Sequence, residues 1–233
     1  MDDILIGREK EVRIISNLAN QKKNIIIFGE EGVGKTAVIN KVLADQFNSK
    51  QYLYSEESKT FREALMGLVL SSSSTRGKIE EENILALKKM LYPMLDKNPE
   101  YIIFDHVGRV EPKYCSFLEY LIERNLPLIV ISQGTDKKAI GHLRYLLHNF
   151  ERMELSNFSR IATDILVDHY IGKFNIKVVE PDNFKKAIFH FSNGNPKVVK
   201  QICSLSRDTK YSKKGFIDVK LINLDRRINY TQG

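Results

Sequence analysis

The sequence predicts an α/β fold: a parallel five-stranded sheet with helices on both faces, followed by a small helical domain. Three observations carry this. Short apolar runs alternate with amphipathic helical patterns through the first two thirds of the chain, which implies parallel pairing. The stretch "GEEGVGKT" lies between the first apolar run and the first strong helical pattern. After Leu155 only helical patterns follow. These divide the chain into a core at 1–155, a helical lid at 156–208 and a basic tail at 209–233.

The expected strands are Asn24–Phe28, Gln51–Tyr54, Tyr101–Asp105, Leu128–Ser132 and Arg152–Leu155. "YIIFD" has the unbroken apolar character of a central strand buried on both faces. Thr36–Phe47 places Val38, Ile39, Val42 and Leu43 on one helical face. Helices are also expected at Thr60–Leu70, at Ile84–Leu95 with a kink or end near Pro93, at Tyr114–Arg124 and at Lys137–Phe150. "SSSSTRGK", residues 71–78, reads as an exposed loop. Ser159–Lys173, Asp182–Phe191 and Pro196–Ser206 read as the three lid helices, with "NGNP" breaking the chain before a proline in a first helical turn. In the tail, "GFIDVKLINL" supports a strand or a hairpin arm and no more.

Composition narrows the function classes. With 42% hydrophobic residues in 233, a full core can form. The N-terminus opens with acidic residues and has no apolar signal segment, and no apolar run is long enough to span a bilayer, so the expected location is cytoplasmic with no membrane contact. Cys115 and Cys203 are far apart in sequence and read as ordinary thiols of a reducing compartment. The five histidines form no metal-ligand spacing, and no G-x-S-x-G elbow is present. The net charge of +7 is compatible with duplex DNA and equally with a lysine-rich solvated surface. "KFNIKVV" and "KYSKKGFIDVK" interleave aromatics with lysines, which suits either stacking on nucleic acid or packing under lysine stems.

"GEEGVGKT" satisfies G-x-x-x-x-G-K-[ST] at Gly29, Gly34, Lys35 and Thr36. Glycines allow the backbone turns that converge N–H groups on phosphate oxygens at a helix N-terminus. Cofactor contacts are therefore expected from Glu31, Gly32, Val33, Gly34, Lys35, Thr36 and Ala37. Lys35 reaches the outer phosphates, and Thr36 supplies a hydroxyl to Mg²⁺. Asp105 closes an apolar strand, the place for the second Mg²⁺-directed oxygen. Glu30 and Glu31 occupy free positions and are expected to point outward.

Together these pieces resemble the AAA+/STAND group of P-loop ATPases, near the archaeal-type ATPases and origin-recognition-like proteins. "IGREKEV", residues 6–12, looks like the group's hhGRExE motif, and "FSNGNPKVVKQI", residues 191–202, like its G-x-P lid motif. The resemblance covers residues 5–208. It implies strand order 5-1-4-3-2, ATP as the nucleotide, and a homo-oligomer or switch, with a separate protein partner as a further option. It also implies Gly7 and Arg8 beside the nucleotide, with Gly194 and Pro196 bringing the lid over it. The sequence departs from the pattern after Asp105, where most active relatives carry a second acid that polarises water and this chain has His106. His106 and Glu111 are both candidates for that task. The sensor position at the end of the fourth strand reads Ser132-Gln133. Asn149 stands where a trans-acting arginine is usual, leaving Arg144 and Arg152 as substitutes. This loss predicts slow turnover with binding intact. The expected function is a nucleotide-dependent assembly switch; a DNA-bound accessory ATPase and a non-hydrolysing nucleotide scaffold are the alternatives.

Overall fold

A computed structural model describes residues 5–46, 52–72, 79–213 and 216–230. Of the loop expected at 71–78, Ser71 and Ser72 instead continue the preceding helix, and residues 73–78, like the helix end at Phe47, the strand start at Gln51 and the basic Lys214, lie outside the described residues. The chain divides into two compact units. One comprises residues 10–30 and 35–155, and the other residues 1–9, 31–34 and 156–233.

The first unit contains strands β1 (Ile25–Phe28), β2 (Tyr52–Ser55), β3 (Tyr101–Val107), β4 (Leu128–Ser132) and β5 (Glu151–Glu154). All pairings are parallel, in the order β2-β3-β4-β1-β5, which read from the other edge is 5-1-4-3-2. Ile25, Ile26 and Ile27 of β1 and Ile102, Ile103 and Phe104 of β3 are fully buried, as continuous apolar strands covered on both faces require. Its helices are α1 (Glu9–Asn20), α2 (Lys35–Gln46), α3 (Phe61–Ser72), α4 (Ile84–Leu95), α5 (Pro112–Glu123) and α6 (Lys137–Ile140). Asn83 caps α4 by accepting a hydrogen bond from the Ala86 amide at 3.0 Å. Pro93 lies within α4 without ending it before Leu95.

Two expectations change here. The helix expected over Lys137–Phe150 is broken: α6 stops at Ile140 and a 3₁₀ helix runs over His142–Asn149. Gly141 turns between them at φ +54. Val110 takes the backbone there, its carbonyl accepting from His142 N at 2.9 Å and its amide donating to Ile140 O at 3.3 Å. An added Cβ on Gly141 would sit 2.5 Å from Val110 O, so this crossing needs glycine. A tertiary pairing therefore overrides the local helical pattern. The third strand also does not end at Asp105. It continues to Val107 through a register shift between Phe104 and Val107 opposite β4.

The second unit contains α7 (Arg160–Phe174), α8 (Pro181–Ser192), α9 (Pro196–Leu205) and α10 (Val219–Tyr230), with a short hairpin of β6 (Ser212–Lys213) and β7 (Phe216–Ile217). Ser159 caps α7, and Asn175 and Asn193 end α7 and α8 in the left-handed conformation. Val167, Ile188, Val199, Ile202 and Cys203 form its core, joined by Tyr211, Val219 and Ile222. Tyr211, Val219 and Ile222 of the expected tail thus pack into the helical core, and the segment read as a strand or hairpin arm is one hairpin arm, Phe216–Ile217, followed by α10. Burial pushes the Cys203 thiol up to about 12. No helix among the described residues is long and apolar enough to cross a membrane.

Candidate functional site

Strand β1 ends at Phe28 and α2 begins at Lys35, so the glycine-rich loop is the turn from a buried strand into a helix N-terminus. Gly29, Gly32 and Gly34 have φ of +148, +82 and +98. Lys35 Nζ reaches back along the loop to donate to Gly29 O at 2.6 Å and to Glu30 O at 2.8 Å.

Residues 31–34 belong to the helical unit. There the carbonyls of three successive loop residues are engaged. Asn195 Nδ2 donates to Glu31 O at 2.8 Å, Lys197 N donates to Gly32 O at 3.1 Å, and Arg8 Nη2 donates to Val33 O at 2.9 Å. In a planar trans peptide the N–H points opposite to the C=O. The N–H groups of Gly32, Val33 and Gly34 therefore turn away from those three donors. N–H groups turned away from the protein's own donors in this way fit a nucleotide's phosphates. Gly32 is obligatory, since an added Cβ would lie 2.7 Å from both Asn195 Oδ1 and Lys197 Cβ. The Glu31 carboxylate pairs with Lys197 Nζ at 2.6 Å.

Arg8 is buried at 4% exposure. It also donates to Ser156 O at 2.5 Å, and its guanidinium lies 4.4 Å above the Phe158 ring. Gly7 turns at φ +73, its amide donating to Glu9 Oε1 at 3.1 Å. Pro196 starts α9, and Asn195 caps that helix by accepting from Lys197 N at 3.1 Å and Val198 N at 3.3 Å. Asn195 and Lys197 were not among the sequence candidates. The signal for Asn195 was present: a cap-forming residue just before a first-turn proline.

In the first unit, Asp105 is 1% exposed and its carboxylate is a hub. Thr36 Oγ1 donates to its Oδ2 at 2.7 Å and Tyr54 OH donates to the same oxygen at 3.1 Å. The His106 amide donates to Oδ1 at 2.7 Å. Burial, then the Asp105 charge, push the Tyr54 hydroxyl well above its ordinary pKa, so it stays a donor. Thr36 and Asp105 offer hard oxygen donors that fit Mg²⁺. Among the described residues no group of three or more His, Cys, Asp or Glu could hold a metal.

His106 stands at φ +52, a conformation costing a non-glycine residue roughly 1 kcal/mol or more. Its Nδ1 lies 2.9 Å from Glu56 O. A carbonyl only accepts, so Nδ1 carries the proton in this bond, and a neutral ring presents Nε2 as its acceptor. Glu111 is the exposed cap residue of α5 and makes no capping hydrogen bond through its side chain. Ser132 is buried at the end of β4, in register with Phe28 on one side and Val107 on the other, and donates to Gly134 O at 2.8 Å. Ala37 is exposed on α2. Arg152 is exposed on β5, and Arg144 lies 5.1 Å from the Tyr145 ring centroid.

The structure of the chain is similar to a Walker-type ATPase of Pyrococcus abyssi, with TM-score 0.63 and 13% identity over 98% of this chain and 73% of that one. It is also similar to the Orc1 protein of Aeropyrum pernix, solved in complex with DNA, with TM-score 0.67 and 15% identity over 97% of this chain and 66% of that one. In sequence it is 24% identical over 208 residues to the chaperone protein ClpB of Enterococcus faecalis, matching 72% of this chain and 24% of that protein. The chain thus spans about a quarter of the length of that relative. No protein-family profile matches it. With the sheet order, the phosphate loop and the paired Thr36 and Asp105 already in place, these likenesses show that the chain has the fold of the AAA+ P-loop ATPases and resembles the ClpB chaperones in sequence.

Proposed function

We propose that the chain binds ATP with Mg²⁺ and acts as a nucleotide-dependent assembly switch with slow hydrolysis. Lys35 and the loop amides hold the phosphates, Thr36 and Asp105 direct the Mg²⁺, and Gly7, Arg8 and Pro196 border the nucleotide. The observation that carries the switch is the set of three loop carbonyls held by Asn195, Lys197 and Arg8. A phosphate drawing on the loop's N–H groups strains or strengthens those same peptides. Occupancy is thereby felt by the helical unit, through the loop residues 31–34 that belong to it. Slow hydrolysis follows from His106 in place of a second acid: positioning and charge remain while water activation is weak.

The test is ATP turnover with Mg²⁺, together with sedimentation velocity in ATP, in ADP and without nucleotide. We expect a larger species in ATP and slow turnover that is lost in Asp105→Ala. ATP binding that leaves the sedimentation coefficient unchanged overturns the switch.

Asn195→Ala tests the link from loop to helical unit. It removes a helix cap and the donor to Glu31 O together, at a cost of about 1–3 kcal/mol. We expect both a lower melting temperature and a smaller ATP-induced rise in it. A lower melting temperature with an unchanged ATP increment argues against the coupling.

A second reading has two observations in its favour. Net charge is +7, and a similar fold occurs in a protein solved with DNA. In that reading the chain is a DNA-bound accessory ATPase, and ATP-dependent duplex binding should weaken steeply with salt.

A further inference from the structure

Strand β2 supplies support to the Mg²⁺-directed carboxylate that its sequence does not announce. Tyr54 of β2 pairs in parallel register with Ile103 of β3. Asp105 lies two residues beyond Ile103, so the strand period brings Tyr54 diagonally opposite it on the same face. The hydroxyl completes this approach with its 3.1 Å bond to Asp105 Oδ2. Two residues on, Glu56 O holds His106 Nδ1 at 2.9 Å. The exit of β2 therefore grips both members of the Asp105–His106 pair, one through a side chain and one through the backbone.

This grip acts at an irregular point of the sheet. The β3–β4 register shifts between Phe104 and Val107, and His106 has left-handed backbone. Regular ladder pairing does not fix Asp105 there, so its direction depends on the donors around it. Thr36 is one of those donors, and Thr36 is also the residue whose oxygen faces a bound cation. Once the cation orients that hydroxyl, the Thr36 bond to Oδ2 is altered. Tyr54 is assigned no such second duty, so its 3.1 Å bond to Oδ2 would remain on the carboxylate.

We propose that Tyr54 is a positioning residue: its hydroxyl holds the Asp105 carboxylate in the orientation that Mg²⁺–ATP requires. The inference rests on the Mg²⁺–ATP reading above. Tyr54→Phe keeps the ring and removes only the hydroxyl, and Asp105 Oδ2 retains Thr36 as donor, so the fold is expected to survive.

The experiment titrates Mg²⁺ against a fluorescent ATP analogue bound to the wild type, Tyr54→Phe, Asp105→Ala and the double variant. Loss of such an outer-shell partner should raise the Mg²⁺ midpoint about tenfold in Tyr54→Phe. Nucleotide binding in excess chelator should stay within about twofold of wild type, and in the Asp105→Ala background the Tyr54 change should move the midpoint by less than about twofold. An unchanged midpoint in Tyr54→Phe overturns the proposal, and so does a shift that persists undiminished without Asp105. Wild-type binding that ignores Mg²⁺ altogether would instead bring down the Mg²⁺–ATP reading, and this inference with it.

Discussion

Lys35→Ala should weaken nucleotide binding on the order of 100-fold. The lysine is the one fixed cation inside the loop motif, and its ammonium now occupies the Gly29 and Glu30 carbonyls at 2.6 and 2.8 Å. It is held at the loop, ready to exchange those neutral acceptors for phosphate oxygens. A charge-assisted hydrogen bond contributes about 1.5–3 kcal/mol, so loss of this contact weakens ATP on the order of 100-fold. Differential scanning fluorimetry with ATP reads this directly. At a concentration 100 times the wild-type Kd, binding stabilises the fold by about 2.7 kcal/mol. With Kd raised 100-fold, the same concentration gives about 0.4 kcal/mol, and the thermal shift nearly vanishes. Lys35→Arg keeps the charge on a wider planar head and should recover only part of the shift. A Lys35→Ala protein that keeps the full ATP shift would mean that the nucleotide sits elsewhere.

The sequence made the sheet and the loop legible because both are written in local pattern. Ile25–Phe28 and Leu128–Ser132 are short apolar runs with polar flanks, and the Gly-Lys-Thr spacing is contiguous. Three features resisted reading because their causes are not local. The segment 137–150 has helical periodicity, yet Val110 captures the backbone at Ile140 and His142 and forces a turn at Gly141. Tyr54 joins Asp105 only through strand register, across 51 residues of chain. The loop's three carbonyl partners come from residues 8, 195 and 197; all three stand in motifs that suggest proximity to the nucleotide, but the lid motif points to Gly194 and Pro196 and not to Asn195 or Lys197 beside them. The helix Val219–Tyr230 was hidden for another reason. Its β-branched and mixed-charge sequence has weak propensity, and burial of Val219 and Ile222 in the helical core supplies what propensity does not.

Gly194→Ala should be the most destabilising single methyl in the helical unit. Gly194 sits at φ +74, and its carbonyl accepts the Phe158 amide at 2.9 Å. An added Cβ would lie 2.1 Å from Phe158 O and 3.0 Å from Phe158 C, so the obstacle is backbone and cannot rotate aside. Left-handed strain costs about 1–2 kcal/mol, and the displaced backbone brings the total to roughly 3–5 kcal/mol. Gly172→Ala is the control. That glycine lies in α7 with nothing within 4 Å of an added Cβ, so alanine there should stabilise by about 0.5–1 kcal/mol. The consequence for function follows from what Phe158 carries. Its ring lies under the Arg8 guanidinium, 4.4 Å away, and 3.4 Å from the position of a Cβ on Gly7. Arg8 in turn holds Val33 O. The two motifs "IGRE" and "NGNP", nearly 190 residues apart, thus meet on one phenylalanine whose position sets a carbonyl of the phosphate loop. Measured below its own melting transition, folded Gly194→Ala should bind ATP more weakly than wild type although it alters no group assigned to the phosphates. Full affinity in the folded variant would separate the two motifs' structural role from nucleotide binding and leave Lys35 and the loop amides to act alone.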